Sequence, residues 1–275
     1  MTILIVGGSG FLGAELVRRA RAAGHAVVAT YASGPGAAGP DGWRRLDLRD
    51  AGGVDDVMAE VRPRVVVNAS SGREDSAVTA AGPVQLAMVA VRQGAGLVHV
   101  SSDAVFSGRR GRYDESAPPD PVTPYGAAKA AAETGVLAVH PKAVVARPSL
   151  IIGHGRSRHE QHVRDLASGV AEGALYTDDI RCPVHVDDLA AALLELAAGD
   201  AAGVHHLAGP DAVSRYELGV LIARRDGLDA SRLPVALRAE SGRPGALDVR
   251  LDSRATRQRL RTTLRGARQF LRPGG

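Results

Sequence analysis

The 275-residue sequence predicts an α/β protein built on a Rossmann-type doubly wound parallel sheet with a smaller C-terminal substrate-binding lobe. Three observations predict it. Short β-branched runs alternate with Ala-rich helical stretches through the first half of the chain, the pattern of βαβ units. A glycine triplet in GGSGFLG, residues 7–13, stands between the first strand and the first helix. Aromatic residues are only 3% of a chain that is 45% hydrophobic, so the core must be Ala, Val, Leu and Ile; such a core suits a sheet covered by helices on both faces.

The elements follow in order. Thr2 to Val6 reads as a strand, Phe11 to Ala23 as a helix ended by Gly24, and His25 to Tyr31 as the second strand. Ser33 to Gly42, dense in Gly and Pro, is a loop before a short strand ending at Asp47 and Leu48. Val54 to Val61 is a helix closed by Pro63, Arg64 to Asn68 a strand, Pro83 to Arg92 a helix and Gly96 to Ser101 a strand. Phe106 to Pro124 holds four prolines and reads as a functional loop over the sheet, with a helix beginning near Thr123. Ala143 to Arg147 is a strand, Ser149 to Pro183 is irregular, Asp187 to Ala198 is a helix and Val204 to Leu207 a strand. Residues 1–148, completed by about 185–208, form the dinucleotide-binding domain, and 149–184 with 209–275 form the small lobe.

Composition excludes several classes. The net charge of +4 rests on scattered arginines, since Lys129 and Lys142 are the only lysines. The basic tail from Arg254 to Arg272 alternates Arg and Leu as an amphipathic helix with a solvated face does, so no nucleic-acid partner is expected. One cysteine, Cys182, permits no internal disulfide and fits a reducing compartment. The first apolar run stops at Gly7, too short for a signal peptide or membrane span; a cytoplasmic location follows as the expectation.

Gly7, Gly10 and Gly13 sit where glycine permits a tight turn and a close approach of backbone to a pyrophosphate, with the helix N-terminus supplying unpaired N–H groups for the anion. The residue that reads the ribose should close the second strand, near Tyr31 to Ser33. No carboxylate stands there to repel a 2′-phosphate, which favours NADP(H) and leaves NAD(H) open. Ser33, Arg44 or Arg45 are the candidates to hold that phosphate. Asp47 is placed to reach the adenine edge, and Asp50 to cap the next helix.

Tyr125 and Lys129 lie four apart on a predicted helix and share one face. A phenol is a poor acid at neutral pH, and an ammonium held beside it favours the phenolate. Ser102 follows a strand at the edge where open α/β sheets bind ligands, and its hydroxyl can donate to a substrate carbonyl. The three together predict hydride transfer at the nicotinamide, with Tyr125 supplying the proton to oxygen.

On the segments ILIVGGSGFLG, RRLDLRD, RPRVVVNAS, LVHVSSDAVFSG, YGAAKAAAE, VVARPSLIIG, CPVHVDDLA, GVHHLAGPDAVSRYELG and RPGALDVRLD, the chain resembles the extended short-chain dehydrogenase/reductases, and within them the dTDP-4-dehydrorhamnose reductase family. The resemblance implies Ser102, Tyr125 and Lys129 as catalytic residues, with Tyr125 and Lys129 also binding the cofactor. It implies Gly7, Gly10, Phe11, Leu12, Gly13, Asp47 and Leu48 on the cofactor, with Asn68, Ala69 and Ser70 along its path and Arg147 to Ser149 beside nicotinamide and substrate. The implied substrate is a nucleotide sugar. Two departures bear on it: Ala104 stands where the family has tyrosine, and Thr79 where it has asparagine. Dehydratase relatives carry a glutamate after their Thr-Asp pair; here the run is Ser102, Asp103, Ala104, which disfavours dehydration. A non-catalytic NADP-binding regulatory subunit and a nucleotide-sugar epimerase remain as alternatives, and a homodimer is left open.

Weaker signals are read plainly. His154, His159 and His162 lack the i,i+4 pair of a zinc helix, so no metal is expected and they read as solvated or substrate-facing. Asp187 reads as a helix N-cap beside His185, and Arg181 and Arg243 as candidates to grip a substrate pyrophosphate.

Overall fold

Four runs of apolar residues, ILIV, VVVN, GLVHV and VVARP, have no polar face, which only a sheet buried on both sides can accommodate. In the computed structural model, which describes residues 1–34, 42–73, 75–242 and 244–273, they pair as the centre of a seven-stranded parallel sheet. The expected loop over residues 35–41 and Arg243 lie outside the described residues. From one edge the order is Gly203–Leu207, Val144–Pro148, β5 (Gly96–Val100), β4 (Val65–Asn68), β1 (Thr2–Val6), β2 (Ala26–Tyr31) and β3 (Trp43–Arg45). The chain winds outward from β1 through β2 to β3, then returns to β4 on the other side, so the winding reverses between β1 and β4. That reversal opens a crevice at the strands' carboxyl ends, where doubly wound folds bind ligands.

Helices α1 (Phe11–Ala22) and α6 (Val186–Ala198) cover one face, burying Leu16, Leu189 and Leu193 against Ile3, Ile5 and Val67. Helices α2 (Ala51–Val61), α3 (Gly82–Arg92) and α4 (Pro124–Val139) cover the other, with Met58, Leu86 and Val136 on Leu4, Val66 and Val145. A separate apolar cluster, including Leu166, Leu175, Leu218 and Ile222, joins α5 (Arg158–Ser168) to α7 (Arg215–Arg225).

Three sequence expectations need correction. The segment 149–183 is not irregular throughout, because it contains α5. Its signal was present: Ser157 accepts from Glu160 N while the Glu160 carboxylate accepts from Ser157 N, a capping box that fixes the first turn. The tail is two short helices, Arg254–Arg259 and Ala267–Phe270, rather than one; its intervening backbone is taken up by other elements, since Glu195 accepts from Arg261 N and Thr262 N, and Asp188 from Arg265 N. The N-cap of α6 is His185, whose Nδ1 accepts from Asp187 N at 3.3 Å, not Asp187. Asp50 does hold the N-cap position of α2, but its side chain makes no capping bond.

Candidate active site

The glycine turn is dictated by close packing. Gly7 has φ +79, and a Cβ there would lie 2.8 Å from Ser70 backbone atoms; a Cβ on Gly13 would lie 2.1 Å from Gly7 O. Only glycine lets β1, the first turn of α1 and the end of β4 meet this tightly. Gly10 N donates to Gly7 O at 3.1 Å and Gly7 N to Thr30 Oγ1 at 3.2 Å, locking the turn.

Beside it lies a cleft of about 500 Å³ whose lining includes Gly7, Gly10, Phe11, Ser33, Asp47, Leu48, Ala69 and Ser70, all expected on the cofactor. Two expected residues act from behind. Gly13 packs under the turn, and Asn68, fully buried, accepts from Ser70 N (3.1 Å) and Ser70 Oγ (2.6 Å) and so holds Ser70 at the wall. The cleft also takes in Thr30, Arg49, Ser71 and Asp75, which the sequence did not single out. Arg49 forks onto Asp47, with Nη2 to Oδ2 at 2.6 Å, and this bond drives the Asp47 carboxyl down to about 2. Arg44 pairs with Glu60 at 2.5 Å, and neither Arg44 nor Arg45 is part of the cleft wall, whereas Ser33 is.

A second cleft, about 690 Å³, adjoins the first along Phe11, Ala69, Ser70 and Ser71 and contains Leu12, Ser102, Tyr125 and Lys129 together. Each is positioned by identifiable local chemistry. Ser102 leaves β5 as the N-cap of a single turn over Asp103–Val105, its Oγ accepting from Ala104 N at 3.1 Å. Thr123 caps α4 by accepting from Gly126 N at 3.1 Å, and Pro124 starts the helix. At Gly126 a Cβ would sit 2.1 Å from Ala104 O, so the first turn of α4 rests directly on the Ser102–Ala104 turn. That contact sets the Ser102 and Tyr125 hydroxyls at one another.

The electrostatics differ from the expectation at one point. Burial raises the Tyr125 phenol above its ordinary value; the Ser71 and Ser102 hydroxyls pull it back, and the charge of Asp103 adds to the rise. The ammonium does not set it here. Lys129, 2% exposed, donates from Nζ to Val100 O at 2.9 Å, and burial pushes its own pKa down to about 8. One turn further along α4, Glu133 accepts from Ser101 Oγ and pairs with Arg147 through Nη2 to Oε2 at 2.6 Å, in a site only a few per cent exposed. Arg147 is therefore committed beneath the cleft instead of lining it, while Pro148 and Ser149 do line it. Ser149 Oγ donates to Asp103 Oδ2 at 2.6 Å. Ala104 is in the wall, where its methyl group fills less of the cleft than a tyrosine would. Thr79 is buried and ties the neighbouring loop, accepting from Gly72 N and donating to Arg73 O, each at 3.2 Å.

The remaining candidates fall elsewhere. Arg181 donates to the carbonyls of Ile180, Leu247 and Ala246 and faces Asp179 at 2.9 Å, so its guanidinium is spent on the fold and cannot clamp a pyrophosphate. His154 bonds Asp187 through Nε2 at 2.7 Å beside His185. The His185 Nδ1 lone pair already faces Asp187 N and Arg265 Nη2 (3.2 Å), so this trio reads as a hydrogen-bonded tie between the 153–155 loop and α6. His162 lines a separate cavity between α5 and α7, and His159 lines both that cavity and the cleft that holds Ser102 and Tyr125. Cys182 is buried, its thiol pushed up to about 11 by burial, which makes it unreactive.

Residues 1–269 match the RmlD substrate binding domain family. The chain belongs to that family. Among its relatives, a dTDP-4-dehydrorhamnose reductase of Mycobacterium tuberculosis is 32% identical over 259 residues, covering 88% of this chain and 81% of the relative. The spore coat polysaccharide biosynthesis protein SpsK of Bacillus subtilis is 28% identical over 244 residues, with 85% of this chain and 82% of that protein covered. A solved dTDP-4-dehydrorhamnose reductase from Clostridium acetobutylicum superimposes with a TM-score of 0.84 at 24% identity, over 98% of this chain and 97% of the other, and shows the same Rossmann-type fold. Among the described residues, no helix of the RmlD-family chain is long and apolar enough to cross a membrane.

Proposed function

We propose that the protein is an NAD(P)H-dependent reductase, favouring NADPH, that reduces a keto group on a nucleotide-linked deoxysugar, of the kind its named relatives suggest. One observation carries this reading: Ser102, Tyr125 and Lys129 share a cleft that is continuous with the glycine turn. Gly10 and the start of α1 would hold the pyrophosphate of the dinucleotide, Ser33 and Asp47 would hold its adenosine, and Ser102 and Tyr125 would face its nicotinamide end. When bound, the dinucleotide supplies the hydride. Ser102 orients the carbonyl oxygen of the substrate, and Tyr125 gives that oxygen a proton, with Ser71 and Ser102 favouring the phenolate left behind. Lys129, already drawn toward a pKa of about 8, anchors the Tyr125 end of α4 to β5 and would hold the nicotinamide end of the cofactor. Residues 149–184 and 209–275 act as the lobe that receives the rest of the substrate.

Following NADPH absorbance across a panel of 4-keto nucleotide sugars tests the reading. Reduction by the wild type, abolished in Tyr125→Phe with NADPH binding retained, is the expected result. Tight NADPH binding with no oxidation by any member of the panel refutes it in favour of a regulatory subunit. Conversion of sugar without net loss of NADPH refutes it in favour of an epimerase.

A further inference from the structure

Among the described residues, Asp103 is the one carboxylate in the wall of the cleft that holds Ser102 and Tyr125. It is 6% exposed, and the hydride and proton transfers make no use of it. Its place is fixed by the chain: Asp103 is the first residue of the turn that Ser102 caps, so its side chain stands beside the serine hydroxyl, with Ser102 Oγ 3.3 Å from Asp103 Oδ1. Ser149, which follows the Val144–Pro148 strand, donates from Oγ to Oδ2 at 2.6 Å and itself accepts from Cys182 N at 3.2 Å. β5 and the Val144–Pro148 strand are neighbours in the sheet, and the carboxylate is pinned between their carboxyl ends.

These partners leave the carboxylate with acceptor capacity to spare. An ionised carboxyl offers about four lone-pair sites; Ser149 takes one, and Ser102 gives up another when its hydroxyl turns to a substrate carbonyl. Arg181 Nε stands 3.7 Å from Oδ2, beyond hydrogen-bond distance, and its other donors are committed to three carbonyls and Asp179. Hydride addition builds negative charge on the very oxygen that Ser102 orients. A bare carboxylate one hydroxyl away opposes that charge, as it already opposes ionisation of Tyr125. The arrangement becomes favourable when a donor of the substrate itself occupies the carboxylate. The donor nearest to a carbonyl oxygen is a hydroxyl on the adjacent carbon. In a 4-keto pyranose, carbon 5 bears the ring oxygen, which only accepts, so that donor is the hydroxyl on carbon 3.

We propose that Asp103, held by Ser149, accepts a hydrogen bond from the hydroxyl on the carbon next to the reacting carbonyl, and so restricts the substrate to α-hydroxy ketones, sugars with a free hydroxyl at carbon 3 beside a 4-keto group. This rests on the reading of the protein as a keto-sugar reductase and names the class of sugar it takes. A sugar that is deoxygenated or O-alkylated at carbon 3 lacks the donor, and leaves the carboxylate facing the developing charge with nothing between them.

NADPH oxidation with a matched pair of substrates tests it: a dTDP-4-keto-6-deoxyhexose with its 3-hydroxyl, and the 3-deoxy counterpart. The readout is the ratio of the two kcat/KM values in wild type, Asp103→Leu and Asp103→Asn, with melting temperature and NADPH affinity measured on each variant. The wild type is expected to favour the hydroxylated ketone by roughly 10- to 100-fold, the worth of a hydrogen bond to a charged group. Leucine offers no acceptor and should bring the ratio near one; asparagine keeps a carbonyl oxygen and should hold an intermediate ratio. A merely structural role lowers both kcat/KM values together and leaves their ratio alone. A wild-type ratio retained in Asp103→Leu therefore overturns the proposal, as does a wild type that reduces both ketones equally well. Should Asp103→Leu fail to fold, Asp103→Asn decides, because neutralising the carboxylate has to shrink the ratio and an undiminished one overturns the assignment. A protein that oxidises NADPH with neither ketone sinks the reductase reading and this proposal together, whereas reduction without discrimination sinks the proposal alone.

Discussion

Gly126→Ala tests whether one backbone contact sets the catalytic geometry. A Cβ at residue 126 would lie 2.1 Å from Ala104 O, whereas real Cβ atoms essentially never come within 3.0 Å of such an atom. The obstacle is backbone, so it cannot swing aside, and the first turn of α4 must withdraw from the Ser102–Ala104 turn by about 1 Å, a displacement on the scale at which misplaced catalytic groups lose about 10²-fold in rate. Tyr125 is the adjacent residue and moves with the turn. Overpacking of this kind costs about 1–3 kcal/mol of stability, and each kcal/mol lowers the melting temperature by about 2–4 °C in a chain of this size. The expected outcome is a kcat near one hundredth of wild type with most NADPH affinity retained, because the glycine turn and Asp47, which hold pyrophosphate and adenosine, are not part of α4. Steady-state kinetics with direct NADPH titration reads both. Gly135→Ala in the same helix is the control: its Cβ would meet Val84 Cγ2 at 2.5 Å, a side-chain atom that can turn away, so it should cost stability and leave kcat near wild type. A Gly126→Ala enzyme with undiminished kcat refutes the argument that this contact aligns Ser102 with Tyr125.

Three further outcomes are expected. Glu133→Gln strands the Arg147 charge in a site a few per cent exposed and should cost about 3–5 kcal/mol, visible in denaturant melts; a change under 1 kcal/mol, roughly the value of a surface pair, contradicts it. Ser33→Asp places a carboxylate in the adenosine end of the cleft and should move the NADH/NADPH ratio of kcat/KM toward NADH by at least about tenfold, or 1.4 kcal/mol; an unchanged ratio means that Ser33 is not at the 2′ position. His159, with a folded pKa of about 3 against an ordinary 6.5, binds fewer protons folded than unfolded between those values. Stability from this group is therefore complete above about pH 6.5 and is lost as pH falls toward 3. Melting curves of His159→Gln should accordingly decline less steeply than wild type over that acid range, and parallel curves would show that the imidazole is not the group responsible.

Much of this protein was legible before folding is considered. The glycine turn, the i,i+4 pair of Tyr125 and Lys129, and Ser102 at a strand end are local patterns, and each reflects a constraint felt within a few residues. Asp187 and Arg181 were misread for the opposite reason. Both sit in sequence contexts that suit a cap or a clamp, but a side chain with several available partners goes to whichever the fold presents, here His154 for one and three carbonyls for the other. Ser71 and Glu133 carried no local signal at all, since their importance comes from the loop after β4 and from a strand end 32 residues away from Glu133.

The sequence by itself determined the parallel sheet and the position of the glycine turn, because buried β-branched runs and a glycine forced by backbone contact leave few alternatives. Only the tertiary structure decided which arginines are spent and which remain available. Guanidinium groups are long, always charged and chemically alike along the chain, so their roles are set by the carboxylates and carbonyls that distant segments bring to them. Arg147 and Arg181 are satisfied in that way.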